Sequence, residues 1–163
     1  WPTIAEAGRV QVLDADGLAW LADNPQPHPA RVLTPHPGEA ARLLGSTVAA
    51  VQVAREAAVR ELQVRHGGVV ILKGAGSLVC DGERLWQCPA GNPGMATPGM
   101  GDVLSGLIGA LLAQGLPLFE AAALGVSLHA RAGDLVADAS GERGLLASEL
   151  WPALRRLLNP EPT

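Results

Sequence analysis

Apolar positions along the chain fall into two patterns. Short runs, VQVL at 10–13, RVLT at 31–34 and VVIL at 69–72, lack the strict alternation of a half-exposed strand. They read as strands buried on both faces of a sheet. Longer segments repeat at spacings of three and four. From 47 to 65, Val51, Ala54, Ala58 and Leu62 face one way and Gln52, Arg55, Glu56, Arg60 and Gln63 the other, which predicts one amphipathic helix stopped by Gly67-Gly68. Helical turns are predicted over 18–21 and 39–44, and further helices over 101–114, 118–138 and 147–158. Helix 101–114 has an apolar face (Val103, Leu104, Leu107, Ile108, Leu111, Leu112) and a face of small residues (Ser105, Gly106, Gly109, Ala110, Ala113). Neither is charged, so burial on both sides is expected. Residues 77–88 read as a hairpin with Asp81-Gly82 as a tight turn. Strands alternating with helices give an α/β fold with a mainly parallel sheet, and no repeat or linker divides the chain.

In such sheets ligands gather outside the carboxyl ends of the strands. Each of the three strands runs into a polar, glycine- or proline-bent turn: DADG, TPHPGE and KGAGS. Parallel strands would bring Asp14, Asp16, His36, Lys73 and Ser77 to one edge. The stretch Gly91–Gly106, GNPGMATPGMGDVLSG, holds five glycines and two prolines around one acid and opens helix 101–114. A glycine-rich turn entering a helix presents free N–H groups at the positive end of the dipole, a setting for phosphate. Gly99, Met100 and Gly101 are therefore the expected anion hole and Asp102 the expected catalytic base. The plainer alternative is that Asp102 only caps the helix. His36, held between two prolines, suits substrate hydrogen bonding. Glu39 belongs to the same site or only favours a helix start. KGAGS is not a Walker A loop, since its Lys comes first, but its N–H groups and the Ser77 hydroxyl could wrap a nucleotide. Asp14 and Asp16 could hold a metal through water or cap a turn. The turn is the preferred reading, so no protein metal site is assigned.

Composition narrows the class. The 163 residues are 48% hydrophobic and 17% charged with net charge −4, which fits a folded domain and suggests neither nucleic acid nor membrane as partner. No apolar run has the length of a membrane span and the first residues carry no signal-peptide core, so the chain reads as cytoplasmic. Cys80 and Cys88 lie too far apart along the hairpin for a disulfide. Twelve basic residues include one lysine, Lys73, at a place where a compact ammonium and a guanidinium are not interchangeable.

Four stretches in this order, VLDADGL, VLTPHPGEAARLLG, VVILKGAGS and GNPGMATPGMGDVLSGLIGALLAQG, resemble the carbohydrate-kinase-like NAD(P)H-hydrate dehydratase family over nearly all of 10–158. The resemblance implies a ribokinase-like three-layer sandwich with a mainly parallel central sheet. It implies an enzyme that restores the hydrated dinucleotides NADHX and NADPHX to NADH and NADPH at the expense of ADP, or of ATP in other members, with Mg²⁺ beside the phosphates. By motif, His36 and Asp102 would contact the hydrate; Lys73, Gly74, Ala75, Gly76, Ser77 and Gly101 would contact the nucleotide. The family domain has roughly a hundred further residues ahead of Val10, so residues 1–163 are expected to form a single partial domain, its N-terminal part missing, with an open sheet edge. Homo-oligomerisation and an association with an epimerase domain are further implications. Two rival functions are a small-molecule kinase of the same superfamily, acting on a vitamin-precursor alcohol, and a nucleotide-binding piece without turnover.

Overall fold

A computed structural model describes residues 8–159. The chain runs β1 (Gln11–Leu13), α1 (Asp16–Asp23), β2 (Arg31–Leu33), α2 (Pro37–Leu44), α3 (Val48–Val53), α4 (Arg55–His66), β3 (Val69–Leu72), β4 (Leu78–Cys80), β5 (Leu85–Gln87), α5 (Met100–Ala113), α6 (Leu118–Ser140) and α7 (Leu150–Leu158). Short 3₁₀ turns lie at Pro93–Met95 and Ala147–Glu149.

The five strands form one sheet in sequence order. β1, β2 and β3 are parallel, with Val12 opposite Val32 and Leu33 opposite Val70. β4 and β5 add antiparallel, with Ile71 opposite Val79 and Val79 opposite Trp86. The apolar runs lack alternation because helices cover both faces. Val70 and Leu72 point into a core shared with Leu18, Leu43, Val51 and Leu62 of α1–α4. Val69 and Ile71 point into a second core with Leu104, Ile108, Ala122 and Val126 of α5 and α6. Period-two alternation thus serves two cores, giving a helix–sheet–helix sandwich. A third cluster joins α5, α6 and α7 through Leu107, Leu111, Ala132, Leu150 and Leu154.

Three local expectations need correction. The helix predicted over 47–65 is two helices, broken at Ala54 (φ −127°, ψ 51°). Thr47 caps the first, its side chain accepting from the Ala50 N–H at 3.2 Å; the break redirects Arg55. The hairpin turn spans Asp81–Arg84 rather than two residues, since Cys80 pairs with Leu85 and the Asp81 carboxylate accepts the Glu83 and Arg84 N–H groups. The small-residue face of α5 is not buried on both sides. Gly106, Ala110 and Ala113 are exposed, and a methyl at Gly106 or Gly109 would touch nothing. Close helix approach occurs instead at Gly125 of α6, where an added Cβ would come 2.7 Å from Ile108 Cγ1. Both cysteines are free and buried. No helix among the described residues is long and apolar enough to cross a membrane.

Candidate functional site

The parallel order of β1–β3 sends the three turns to one edge of the sheet, as the strand pattern predicts. Lys73, directly after β3, places its ammonium 2.9 Å from Asp14 Oδ1, directly after β1, and 3.9 Å from Glu39 Oε2 in α2. The other Asp14 oxygen accepts the Ser105 hydroxyl of α5 at 3.0 Å. Burial pushes the Asp14 pKa up. The hydrogen bond and charge of Lys73, with the Ser105 hydroxyl and the Ala15 N–H, outweigh it and hold the carboxyl below its ordinary value. Asp14 is therefore a junction between two strand ends and the first turns of α5, a role the preferred sequence reading as a turn residue did not reach. The price of the geometry is visible next door, where Ala15 takes φ +44°, unusual for a residue with a Cβ.

Gly101 lies under this pair. A Cβ there would meet Asp14 Oδ2 at 3.2 Å and Lys73 Nζ at 3.3 Å. Gly99, in the left-handed region at φ 88°, is the N-cap of α5 and offers no side chain to its N–H groups. The first-turn amides are thus open toward whatever occupies the cleft. Asp102 sits in that first turn, is exposed, and makes no side-chain hydrogen bond or ion pair among the described residues. It does not cap the helix. This leaves a free carboxylate beside the open helix start.

His36 is the N-cap of α2. Its Nδ1 accepts the N–H groups of Gly38 (3.0 Å) and Glu39 (3.2 Å), while Glu39 Oε2 accepts the His36 N–H at 2.8 Å. This reciprocal box assigns the neutral ring proton to Nε2, which lies 3.6 Å from Glu39 Oε1 on a half-exposed ring. The exposed nitrogen is thereby a donor. Glu39 does both things considered for it: it closes the box and faces Lys73. Asp16 opens α1 and lines a small hollow with Glu39 and Arg42, and no group of three or more His, Cys, Asp or Glu side chains suited to a metal occurs among the described residues.

Beside Lys73 lies a cleft of about 830 Å³. One wall is the turn Lys73, Gly74, Ala75, Gly76 and Ser77; the other is Met100 and Gly101. Gly91, Asn92 and Met95 cover it, and His129 lies at its floor. The turn is held by its own hydroxyl: Ser77 Oγ accepts the Gly74 N–H at 3.3 Å and donates to the Gly74 carbonyl at 3.1 Å. Gly74 (φ 141°) and Gly76 (φ 65°) give it a path closed to residues with side chains. His36 and Asp102 do not line this cleft.

Sequence reasoning passed over three residues here. Ser105 belonged to the small face of a helix, and only the Asp14 contact reveals it. Asp134 of α6 accepts the Gly91 N–H at 3.1 Å and the Asn92 amide at 3.0 Å, fixing the start of the glycine-rich stretch from a helix more than forty residues away. His129 carried no usable spacing. It is buried, its Nε2 has no hydrogen-bond partner among the described residues, and burial, with the nearby Lys73 charge, lowers its pKa to about 4 against the opposing pull of the Met100 carbonyl.

Comparison with known proteins agrees with this architecture. A family model described as Carb_kinase, NAD(P)H-hydrate dehydratase, matches residues 3–156. The bifunctional NAD(P)H-hydrate repair enzyme Nnr of Vibrio cholerae serotype O1 is 60% identical over 149 residues, which is 91% of this chain and 30% of that protein. The ADP-dependent (S)-NAD(P)H-hydrate dehydratase of Neisseria meningitidis serogroup B is 49% identical over 156 residues, 91% of this chain and 53% of the relative. The ADP/ATP-dependent NAD(P)H-hydrate dehydratase of Bacillus subtilis, co-crystallised with ATP and Mg²⁺, superposes with a TM-score of 0.81 at 32% identity, over 90% of this chain and 53% of that one. The chain thus spans about half of the single-function relative and under a third of the bifunctional one. The expected ribokinase-like sandwich is the fold observed.

Proposed function

We propose, for a chain that belongs to the NAD(P)H-hydrate dehydratase family, that this edge carries out ADP-dependent dehydration of NADHX and NADPHX, releasing AMP and phosphate. The observation that carries it is the pairing of a glycine-lined cleft, bounded by the sole lysine and an open helix start, with a free carboxylate, Asp102, one residue past Gly101.

The chemistry asks little covalent work of the protein. Phosphoryl transfer is mostly positioning and charge stabilisation. The turn Lys73–Ser77 and Gly101 hold the nucleotide, with the Gly99, Met100 and Gly101 region facing the transferred phosphoryl group. Asp102 takes the proton of the hydroxyl on the hydrated ring as its oxygen attacks the β-phosphorus of ADP, and AMP leaves. The C–O bond of this phosphate ester then breaks, inorganic phosphate leaves with the bonding pair, a proton is lost from the neighbouring ring carbon, and the double bond returns. His36 donates from Nε2 to the substrate and keeps Glu39 in place.

The residues present do not form a protein site for Mg²⁺: Asp14 is held by Lys73 and Ser105, Glu39 by the His36 N–H, and neither lines the cleft. Mg²⁺ would enter with the nucleotide, held by its phosphate oxygens and water, and would neutralise phosphate charge. The free buried cysteines support a reducing, cytoplasmic setting. The bifunctional relatives support work alongside an epimerase domain, and exposed Leu146, Trp151 and Leu158 support self-association.

The test adds ADP, Mg²⁺ and NADH hydrate to the full-length protein and follows the return of reduced-nicotinamide absorbance. Stoichiometric AMP and inorganic phosphate are expected. A stable phosphate ester of the substrate would instead identify a kinase. An Asp102→Asn rate equal to wild type would remove Asp102 as the base.

A further inference from the structure

Arg55 looks from the sequence like one of several polar residues on a helix surface. The break at Ala54 instead makes it the first residue of α4 and turns its guanidinium onto the end of β3. Nη2 donates to the Leu72 carbonyl at 3.2 Å and the Gly76 carbonyl at 3.4 Å. Nη1 donates to the Lys73 carbonyl at 3.5 Å and to Gln52 Oε1 at 3.0 Å. Three carbonyls of the turn are drawn to one cation behind it. The approach is close enough that a Cβ on Gly74 would come 2.8 Å from Nη1. On the other side, the N–H groups of Ala75 and Gly76 have no hydrogen-bond partner among the described residues. The Lys73 N–H is spent on the Pro35 carbonyl at 2.9 Å, which anchors the strand end itself.

A peptide loop attracts an anion when its carbonyl dipoles are turned away and neutralised and its N–H groups are left free. One planar guanidinium does this for several carbonyls at once because its donors form a fixed fork. Arg55 does not line the cleft, so it acts through the loop. We propose that Arg55 is a positioning residue that turns Lys73–Ser77 into an anion-binding loop, reserving the Ala75 and Gly76 N–H groups for the phosphates of a nucleoside diphosphate. The proposal rests on reading the cleft as a nucleotide site.

The test uses the full-length protein and the variants Arg55→Met and Arg55→Lys, titrated calorimetrically with ADP and, separately, with adenosine. Losing charge-assisted hydrogen bonds to the loop predicts an ADP affinity lower by about tenfold or more in Arg55→Met. A smaller loss is expected in Arg55→Lys, whose ammonium cannot span three carbonyls. Adenosine, which has no phosphate, should bind within about twofold of wild type. Equal weakening of ADP and adenosine, or unchanged ADP affinity in either variant, overturns the proposal. If Arg55→Met does not fold, Arg55→Lys carries the comparison. If the wild type binds neither ligand, the nucleotide reading fails by itself. The Arg55 role is then judged by amide hydrogen exchange over 73–77 without ligand: faster exchange in the variants supports it and unchanged exchange overturns it.

Discussion

Gly101→Ala separates stability from function at this site. Gly101 is helical, in the first turn of α5, without a positive φ. Local physics therefore favours the substitution, since Ala replaces Gly in a helix with a gain of up to about 1 kcal/mol. The new methyl, however, would stand 3.2 Å from Asp14 Oδ2 and 3.3 Å from Lys73 Nζ. Both side chains are held, Lys73 on Asp14 and Asp14 on Ser105, so the pair must give by a few tenths of an ångström. A small displacement of a charged group at a reacting centre costs far more in rate than in stability, on the order of a hundredfold for about 1 Å. The variant should unfold at the wild-type temperature or up to about 4 °C above it. Its ADP-dependent turnover should fall by about tenfold or more. Thermal unfolding and the nicotinamide absorbance assay on one preparation measure both. Turnover within twofold of wild type would refute the argument that this glycine is required by the Lys73–Asp14 pair. So would a large loss of stability, which would mean that the methyl disrupts the fold and not the pair.

Three further outcomes are expected. His129 has its folded pKa lowered to about 4 against about 6.5 unfolded, so the unfolded state takes up the proton first. Stability should be flat above pH 7 and fall by up to about 3 kcal/mol as pH drops from 6.5 toward 4. His66, lowered by burial and by the Arg31 and Arg65 charges, acts in the same direction, so His129→Gln should flatten part of the slope in urea titrations at pH 7 and pH 5. Gly125→Ala should destabilise by about 1–3 kcal/mol despite better helix propensity, because its methyl would press on Ile108 at 2.7 Å; a stabilised variant in urea would show that α5 and α6 can separate freely. Asp134→Ala removes the acceptor for Gly91 and Asn92 and should weaken ADP binding by about tenfold while leaving the unfolding midpoint within a few degrees, checked by calorimetry and thermal unfolding.

Local sequence settled what local physics controls. Continuous apolar runs meant strands covered on both faces, and the residues just past them had to lie on one edge once the strands were parallel. The turns carrying His36 and Lys73, and the helix start at Gly101, were readable because Pro and Gly are costly choices that mark where strands end and a helix begins. The break at Ala54 was not readable, since Val51, Ala54, Ala58 and Leu62 keep helical spacing across it and no proline or glycine marks it. Nor was the open side of α5: an uncharged face of small residues predicts contact, and only the assembled fold shows that Gly106 and Ala110 face outward. Ser105, Asp134 and Arg55 were invisible for one reason. Each acts on a segment distant in sequence, Asp14, Gly91 and the turn after β3, and a pairing over such separations is set by the packing of helices on the sheet and leaves no mark in the local pattern.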